Sequence, residues 1–309
     1  MKDKMNRLQT VTGTAPVEDI GTADAHAHVW IDPPEDVPDD ARIELTDADA
    51  IRHELDDYRA AGGTLIVDCQ PGRCGRNANR LIQFATSSEV HITATTGFHL
   101  QKYYPPNDWL WSADETEAAT YFIEELTERL FEADGARATT VKVGYAGEIA
   151  GQTRVLMEAA AEAARVTGAV VLVHTEAGKN VEALLPFYDA RGVPSTQLYL
   201  CHVDKRPDAA LHRELARAGV LLGYDTFARQ AYEPERNVWR LLPQMVESGY
   251  SDQIAIGLDL ARPSQWRYAG GAGMQMLIDV IIPRLRAGGM DEATIRALTG
   301  QNIARFLVR

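Results

Sequence analysis

Cysteine and positive charge are both scarce in this chain. Its 309 residues include three cysteines, Cys69, Cys74 and Cys201. An odd count without zinc-finger spacing excludes a disulfide framework and suits reduced thiols in a cytoplasmic protein. Lysine and arginine total 31 against 44 aspartates and glutamates, a net charge of -13. That balance argues against a nucleic-acid backbone or an anionic membrane as partner and leaves room only for a local basic pocket. Nowhere do about 18 apolar residues run together, so no membrane span is expected. The stretch 1–14 has no apolar run of signal-peptide length. Low-complexity tracts, short-period repeats and a Pro/Ser-rich linker are also missing, which predicts one domain over residues 1–309.

What is present is alternation. Short apolar runs predict eight strands, at 21–28, 64–69, 91–96, 139–143, 169–173, 197–201, 220–223 and 253–258. Runs this apolar suit strands buried on both faces. Helical patterns lie between most of them. The first starts from a capping box of Thr46 and Asp49 and stops at Gly62 and Gly63; others are expected over 114–133, 154–166, 181–190, 207–218, 235–247, 274–286 and 291–298. Alternating units imply parallel strands with helical crossovers. Eight units fit a closed (β/α)8 TIM barrel of the α/β class. A doubly wound sheet is the alternative, weakened by the lack of a Gly-rich phosphate fingerprint after the first strand.

In such a barrel the C-terminal strand ends meet at one mouth. Strand 1 ends in Asp24-Ala25-His26-Ala27-His28, strand 4 carries Lys142, strand 5 ends at His174, strand 6 at His202 and strand 8 at Asp259. Residues two apart on a strand share a face, so His26 and His28 can grip one ion with Asp259. His174 and His202 can hold a second. Imidazole and carboxylate ligands admit zinc, manganese, iron and cobalt. Taken singly each residue has a plainer reading: a core histidine, a helix cap at Asp259, an ion-paired lysine. Their joint placement at strand ends favours a metal site. His53, His91 and His212 are expected to be structural or solvent-facing, and His99, in Gly97-Phe98-His99, lies near the mouth.

These segments resemble the phosphotriesterase family of the amidohydrolase superfamily. The matching pieces are ADAHAH at 23–28, TGFH at 96–99, VKVGYAG at 141–147, VLVHTEAG at 171–178, LYLCHVDK at 198–205, GLDLAR at 257–262 and the terminal QNIARFLVR. The opening LQTVTGTAPVEDIG resembles that family's N-terminal β-hairpin, which places a hairpin extension in residues 1–20. The resemblance implies a binuclear centre: His26, His28 and Asp259 on the buried metal, His174 and His202 on the exposed one, and Lys142 bridging both as a carbamate formed with carbon dioxide. It implies that Asp259 also moves the proton of the attacking water. It further implies a homodimer. One departure stands out: Ala27 occupies the place of the usual acidic residue between the strand-1 histidines.

The segments HVDKRPD at 202–208, GYDTFARQAY at 223–232 and DLARPSQWRYAGG at 259–271 look most like the family's bacterial sugar-lactonase branch. That resemblance implies a metal-dependent lactonase acting on a polar, sugar-derived small molecule. Relatives acting on phosphorylated lactones would be expected to carry a lysine near Ala231 and a tyrosine near Gln265, and this chain does not. The alternatives are an organophosphate triester or other ester or amide hydrolase, and a non-catalytic metal- or ligand-binding barrel. Candidate substrate contacts are His99, Tyr145, Lys205, Arg229, Arg262, Arg267 and Tyr268. The arginines have a plainer reading as partners of acids such as Asp225. Tyr103, Tyr104, Trp109, Trp111, Trp266 and Tyr268 are expected on mouth loops, walling a pocket or lining a dimer contact.

Overall fold

The computed structural model describes residues 6–308. The first five residues of the expected extension and the terminal Arg309 lie outside the described residues. The chain opens with an antiparallel hairpin, β1 (Arg7–Thr10) and β2 (Gly13–Pro16), where the resemblance places one. Leu8 and Ala15 pack with the buried barrel residues Leu65, Leu172 and Leu221 and with Ile303 and Leu307 near the C-terminus. Hairpin and chain end therefore close the barrel floor together.

All eight expected strands form. They are β3 (Thr22–Ala27), β4 (Gly63–Asp68), the pair β5 (His91–Thr93) and β6 (Thr95–Gly97), β7 (Thr140–Tyr145), β8 (Val170–Thr175), β9 (Leu198–Cys201), β10 (Leu221–Tyr224) and β11 (Ile254–Ile256). Neighbours pair in parallel from β3 to β5 and from β6 to β11. Ala94 interrupts the third strand, and its carbonyl accepts from Thr139 N at 2.8 Å. The ring closes where His26 O accepts from Leu258 N at 3.3 Å and Asp259 N at 2.8 Å. Alternation explains the apolar runs. On β4, Leu65 and Val67 face the barrel interior while Ile66 packs into the strand–helix layer, and all three are fully buried.

The helices differ more from expectation. α1 (Ala48–Ala60) is capped by Asp47, whose side chain accepts from Ala50 N, and Thr46 instead donates to Glu44. An unexpected helix, α2 (Ala78–Ser88), follows β4 behind the cap Asn77. The polar NANR opening concealed its stripe of Leu81, Phe84 and Ala85. α3 (Glu115–Thr127) starts from a full capping box of Asp114 and Glu117 and stops short of Ala133; buried Arg76 pairs with Glu125 on the helix and with half-buried Glu132 beyond it. α4 (Gly151–Thr167) ends at left-handed Gly168. α5 (Leu184–Asp189), α6 (Ala209–Arg217) and α7 (Val238–Glu247) are shorter than the patterns suggest. After β11 a π-turn leads into α8 (Ile282–Ala287); α9 (Glu292–Arg296) passes through a second π-turn into α10 (Asn302–Phe306). Among the described residues no helix is long and apolar enough to cross a membrane.

One glycine positions the site directly. Gly97 has a φ of +94° and lies against β7, where an added Cβ would run into the backbone carbonyl of Lys142. Gly97→Ala combines a left-handed backbone with a backbone clash. It is expected to cost about 2–4 kcal/mol of stability, measured as a lowered urea midpoint at unchanged slope.

Candidate metal centre and substrate cavity

The strand ends of β3, β7, β8, β9 and β11 deliver His26, Lys142, His174, His202 and Asp259 to one mouth, with His28 just beyond β3. Two of these carriers are strained. His202 has a φ of +62° and Asp259 a φ of +49°. A left-handed non-glycine backbone is uncommon, and here it turns each side chain off its strand into the mouth.

The rings gather closely. Centroids lie 4.5 Å apart for His26 and His202, 4.8 Å for His174 and His202, and 5.6 Å for His26 and His28. Asp259 Oδ1 sits 3.7 Å from His26 Nε2 and 3.6 Å from His28 Nε2. Both ring nitrogens of His26 and Nδ1 of His28 are buried without a hydrogen-bond partner, although His26 Nδ1 comes within 3.1 Å of Asp225 Oδ2 in poor alignment. Burial pushes His28 and His174 down to about 4, so both are neutral near pH 7, the form a metal requires. Burial opposes ionisation of Asp259, yet the neighbouring His202, His28 and Arg229 hold it well below the usual carboxylate range. The orphaned nitrogens of His26 and His28, the neutral rings of His28 and His174 and an ionised carboxylate at one mouth fit a divalent cation. His26, His28 and Asp259 form one such group, with one ligand atom of each lying within 4.8 Å of the others.

Lys142 lies beneath them, fully buried. Its Nζ donates to Cys69 O at 2.5 Å, and among the described residues it forms no salt bridge. A buried ammonium without an acidic partner is rare and costly.

Several buried carboxylates hold the frame. Asp225, just past β10, accepts from both His202 N at 3.2 Å and His202 Nδ1 at 2.7 Å. That bond places the proton on Nδ1 and leaves Nε2 as the free ligand atom. Asp68 accepts from Val29 N at 2.7 Å and Gln70 N at 3.0 Å, and Asp204 accepts from Thr226 N at 3.0 Å. Burial pushes Asp68 up to about 6 and Asp204 up to about 7. Sequence reasoning missed these supports, except that it offered Asp225 as a partner for loop arginines. Asp225 pairs instead with His202, and Arg229 lies 2.5 Å from Asp259 Oδ2. The signal was present: VDC at 67–69 and GYD at 223–225 end strands in a carboxylate, as DLA at 259–261 begins with one.

Above the floor lies a cavity of about 220 Å³. His28, His174, His202 and Asp259 line it, and His26 and Lys142 sit beneath. Of the expected substrate contacts, His99, Lys205, Arg229 and Arg262 reach its wall. Tyr145 does not; it packs outward into the strand–helix layer and donates to Asn180 O at 2.9 Å. Arg267 and Tyr268 also lie outside, because Glu54 of α1 takes the Arg267 backbone N–H and draws that turn away from the mouth. Of the six loop aromatics only Tyr103 lines the cavity; Tyr104 and Trp266 are buried, Trp109 and Trp111 pack on the core, and Tyr268 is exposed. Tyr232, not expected, lines it as well. His212 is structural, buried and bonded to Tyr224 OH at 2.7 Å, and His53 is exposed. The three cysteines are free thiols.

Asp225→Ala would free the His202 ring and invert its tautomer control. Metal affinity is expected to fall about 10–100-fold, read as metal retained after dialysis against a graded chelator, while the circular dichroism spectrum stays native.

Residues 6–307 match the Phosphotriesterase family. The chain is 25% identical over 328 residues to a phospho-furanose lactonase of Mycoplasmopsis synoviae, spanning 99% of this chain and 92% of that one. It is 26% identical over 285 residues to the N-acetyltaurine hydrolase of Bos taurus, spanning 84% and 78% respectively. A lactonase structure from Listeria monocytogenes superposes with a TM-score of 0.90 at 23% identity, covering 97% of this chain and 98% of that one, which shows the shared barrel fold. With a strand-end ligand set suited to a divalent ion and a family match along nearly its whole length, the chain belongs to the phosphotriesterase family of metal-dependent hydrolases.

Proposed function

We propose that the chain is a lactonase that opens a small, polar, sugar-derived lactone at a two-metal centre. The observation that carries this reading is the cavity floor itself: four imidazoles and Asp259 gathered over a buried lysine that forms no salt bridge among the described residues. His26, His28 and Asp259 would hold one metal, and His174 and His202 the second. Free, the Lys142 ammonium would repel both. Carbamylated by carbon dioxide, the same side chain becomes a bidentate anion suited to bridge them. Zinc fits the donor set, as do manganese, iron and cobalt.

Divalent metals at this floor would supply a polarised carbonyl and an activated water. The chain's residues do the rest. Asp259 accepts the proton of the attacking water and returns it to the departing ring oxygen. Arg229 holds Asp259 Oδ2, which leaves Oδ1 facing His26 and His28. Likeness to a phospho-furanose lactonase supports a lactone. Amide hydrolysis is the second reading, favoured by likeness to an N-acetyltaurine hydrolase. A homodimer belongs to the same family-based reading, and size-exclusion chromatography with light scattering tests it; the free thiols favour a cytoplasmic setting.

Two measurements test the proposal. Wild type is expected to hold about two metal equivalents, and Lys142→Ala to lose most of them, with partial restoration by added propionate. One equivalent or none, unchanged by the substitution, removes the bridged centre. An aldonolactone panel at neutral pH should then show metal-dependent turnover. Faster hydrolysis of paraoxon or of an N-acetyl amide than of every lactone hands the function to the other ester or amide reading.

A further inference from the structure

The cavity has two unlike walls. One comes from the loop between β3 and α1. It presents Ile31, Val37 and Ile43, with Pro33 and Ala41 between them, and beyond the floor residue His28 no hydrogen-bonding side chain of that loop lines the cavity among the described residues. The loop is held in place rather than loose: Ile31 and Leu45 exchange backbone hydrogen bonds at 3.1 and 2.8 Å, and the Arg42 guanidinium bonds Pro34 O at 3.0 Å and Pro33 O at 3.2 Å. Ile31 and Val37 are almost fully buried, so the wall is a packed surface.

The other wall is cationic. Lys102, Lys205 and Arg262 line it, and among the described residues none of the three forms a salt bridge. Lys102 Nζ lies 5.0 Å from the centre of the Tyr103 ring, and Lys205 Nζ 4.8 Å from that of Tyr232. Both rings line the cavity too, so cation–π contact keeps the ammonium groups at its wall. Counting Arg229, the lining holds four cations against two carboxylates, Glu176 and Asp259. Arg229 already answers Asp259, while Glu176, 3.4 Å from the neutral His174, also feels the charges of Lys205 and Lys102. The mouth is thus net positive in a chain whose net charge is -13. A net positive lining around so small a space marks it for an anion.

We infer that the substrate is amphipathic: a small lactone or related acyl compound with an anionic group held by Lys102, Lys205 and Arg262, and an unhydroxylated alkyl portion laid against Ile31, Val37 and Ile43. This rests on the hydrolase reading above and departs from its sugar-derived substrate in favour of one with an alkyl portion. A fully hydroxylated sugar lactone would press hydroxyls onto a wall that offers them no partner, each at a cost of about tenfold in affinity. A neutral ligand would leave the cations unanswered.

The test separates binding from turnover. Zinc-loaded protein is titrated calorimetrically with butane-1-sulfonate, methanesulfonate and butan-1-ol. Sulfonate is chosen because it ligates metals poorly. Butanesulfonate is expected to bind at least about tenfold tighter than either fragment, and more weakly as salt rises. Lys102→Gln combined with Arg262→Gln, both on exposed side chains, should remove most of the butanesulfonate binding and leave that of butanol unchanged. Val37→Ser should weaken butanesulfonate and spare methanesulfonate. Equal binding of butanol and butanesulfonate, or a double variant that binds like wild type, overturns the inference. In parallel, a carboxylate-bearing γ-lactone with an alkyl substituent is compared with its methyl ester. Preference for the anionic lactone supports the inference, and turnover without preference defeats it. Sulfonate binding as expected with no lactone opened would sink the lactonase reading while leaving the amphipathic site standing.

Discussion

The structure depends on one seam. The carbonyl of His26 accepts from the amides of Leu258 and Asp259, and Asp24 Oδ1 accepts from Leu258 N at 3.1 Å. These bonds close the barrel across 234 residues of sequence. They also bring the first ligand segment against the last, so closing the fold and assembling the centre are a single event. Gly257 makes the approach possible, since a Cβ there would lie 2.6 Å from His26 N. A barrel that failed to close would lose Asp259 from the histidines before it lost much else.

Around that seam, charge is layered. The lowest layer is acidic: Asp24, Asp68, Asp204 and Asp225 are all buried, and each commits at least one oxygen to a backbone amide, a hydroxyl or an imidazole. They work as fixed acceptors that stiffen strand ends. Above them stands the imidazole layer with Lys142 at its base. The rim of Lys102, Lys205, Arg229 and Arg262 is cationic. An acidic exterior around a basic mouth suits an enzyme that repels polyanions yet admits a small anion. The strain at His202 and Asp259 falls in the middle layer, where side chains must turn away from their strands to meet.

Likeness to both a lactonase and an amide hydrolase fits this arrangement. The floor chemistry is shared by any acyl centre that a divalent metal can polarise, and discrimination is left to the loops. Here those loops differ in kind, one aliphatic and held by its own backbone bonds, the others basic. The bond that is cut belongs to the floor, and the molecule that is chosen belongs to the walls.

The sequence by itself determined the architecture and the floor. Eight two-sided apolar runs have no other economical solution than parallel strands covered by helices, and His26, His28, Lys142, His174, His202 and Asp259 stand at their ends because strand termini are where a barrel exposes chemistry. Asp68 and Asp225 were legible by the same rule, but Asp68 passed unnoticed and Asp225 was read as an arginine partner, since a lone strand-end aspartate carries no sign of the ring it will hold. α2 was hidden because its polar first turn masks a short apolar stripe. Only the tertiary structure decided the walls. Whether Tyr145, Arg267 and Tyr268 or instead Lys102 and Tyr232 reach the cavity turns on loop paths, such as Glu54 pulling the Arg267 turn aside, that leave no periodicity in the chain. Strand ends are placed by a regular hydrogen-bond lattice that sequence patterning encodes, and loops by single contacts between distant residues that it does not.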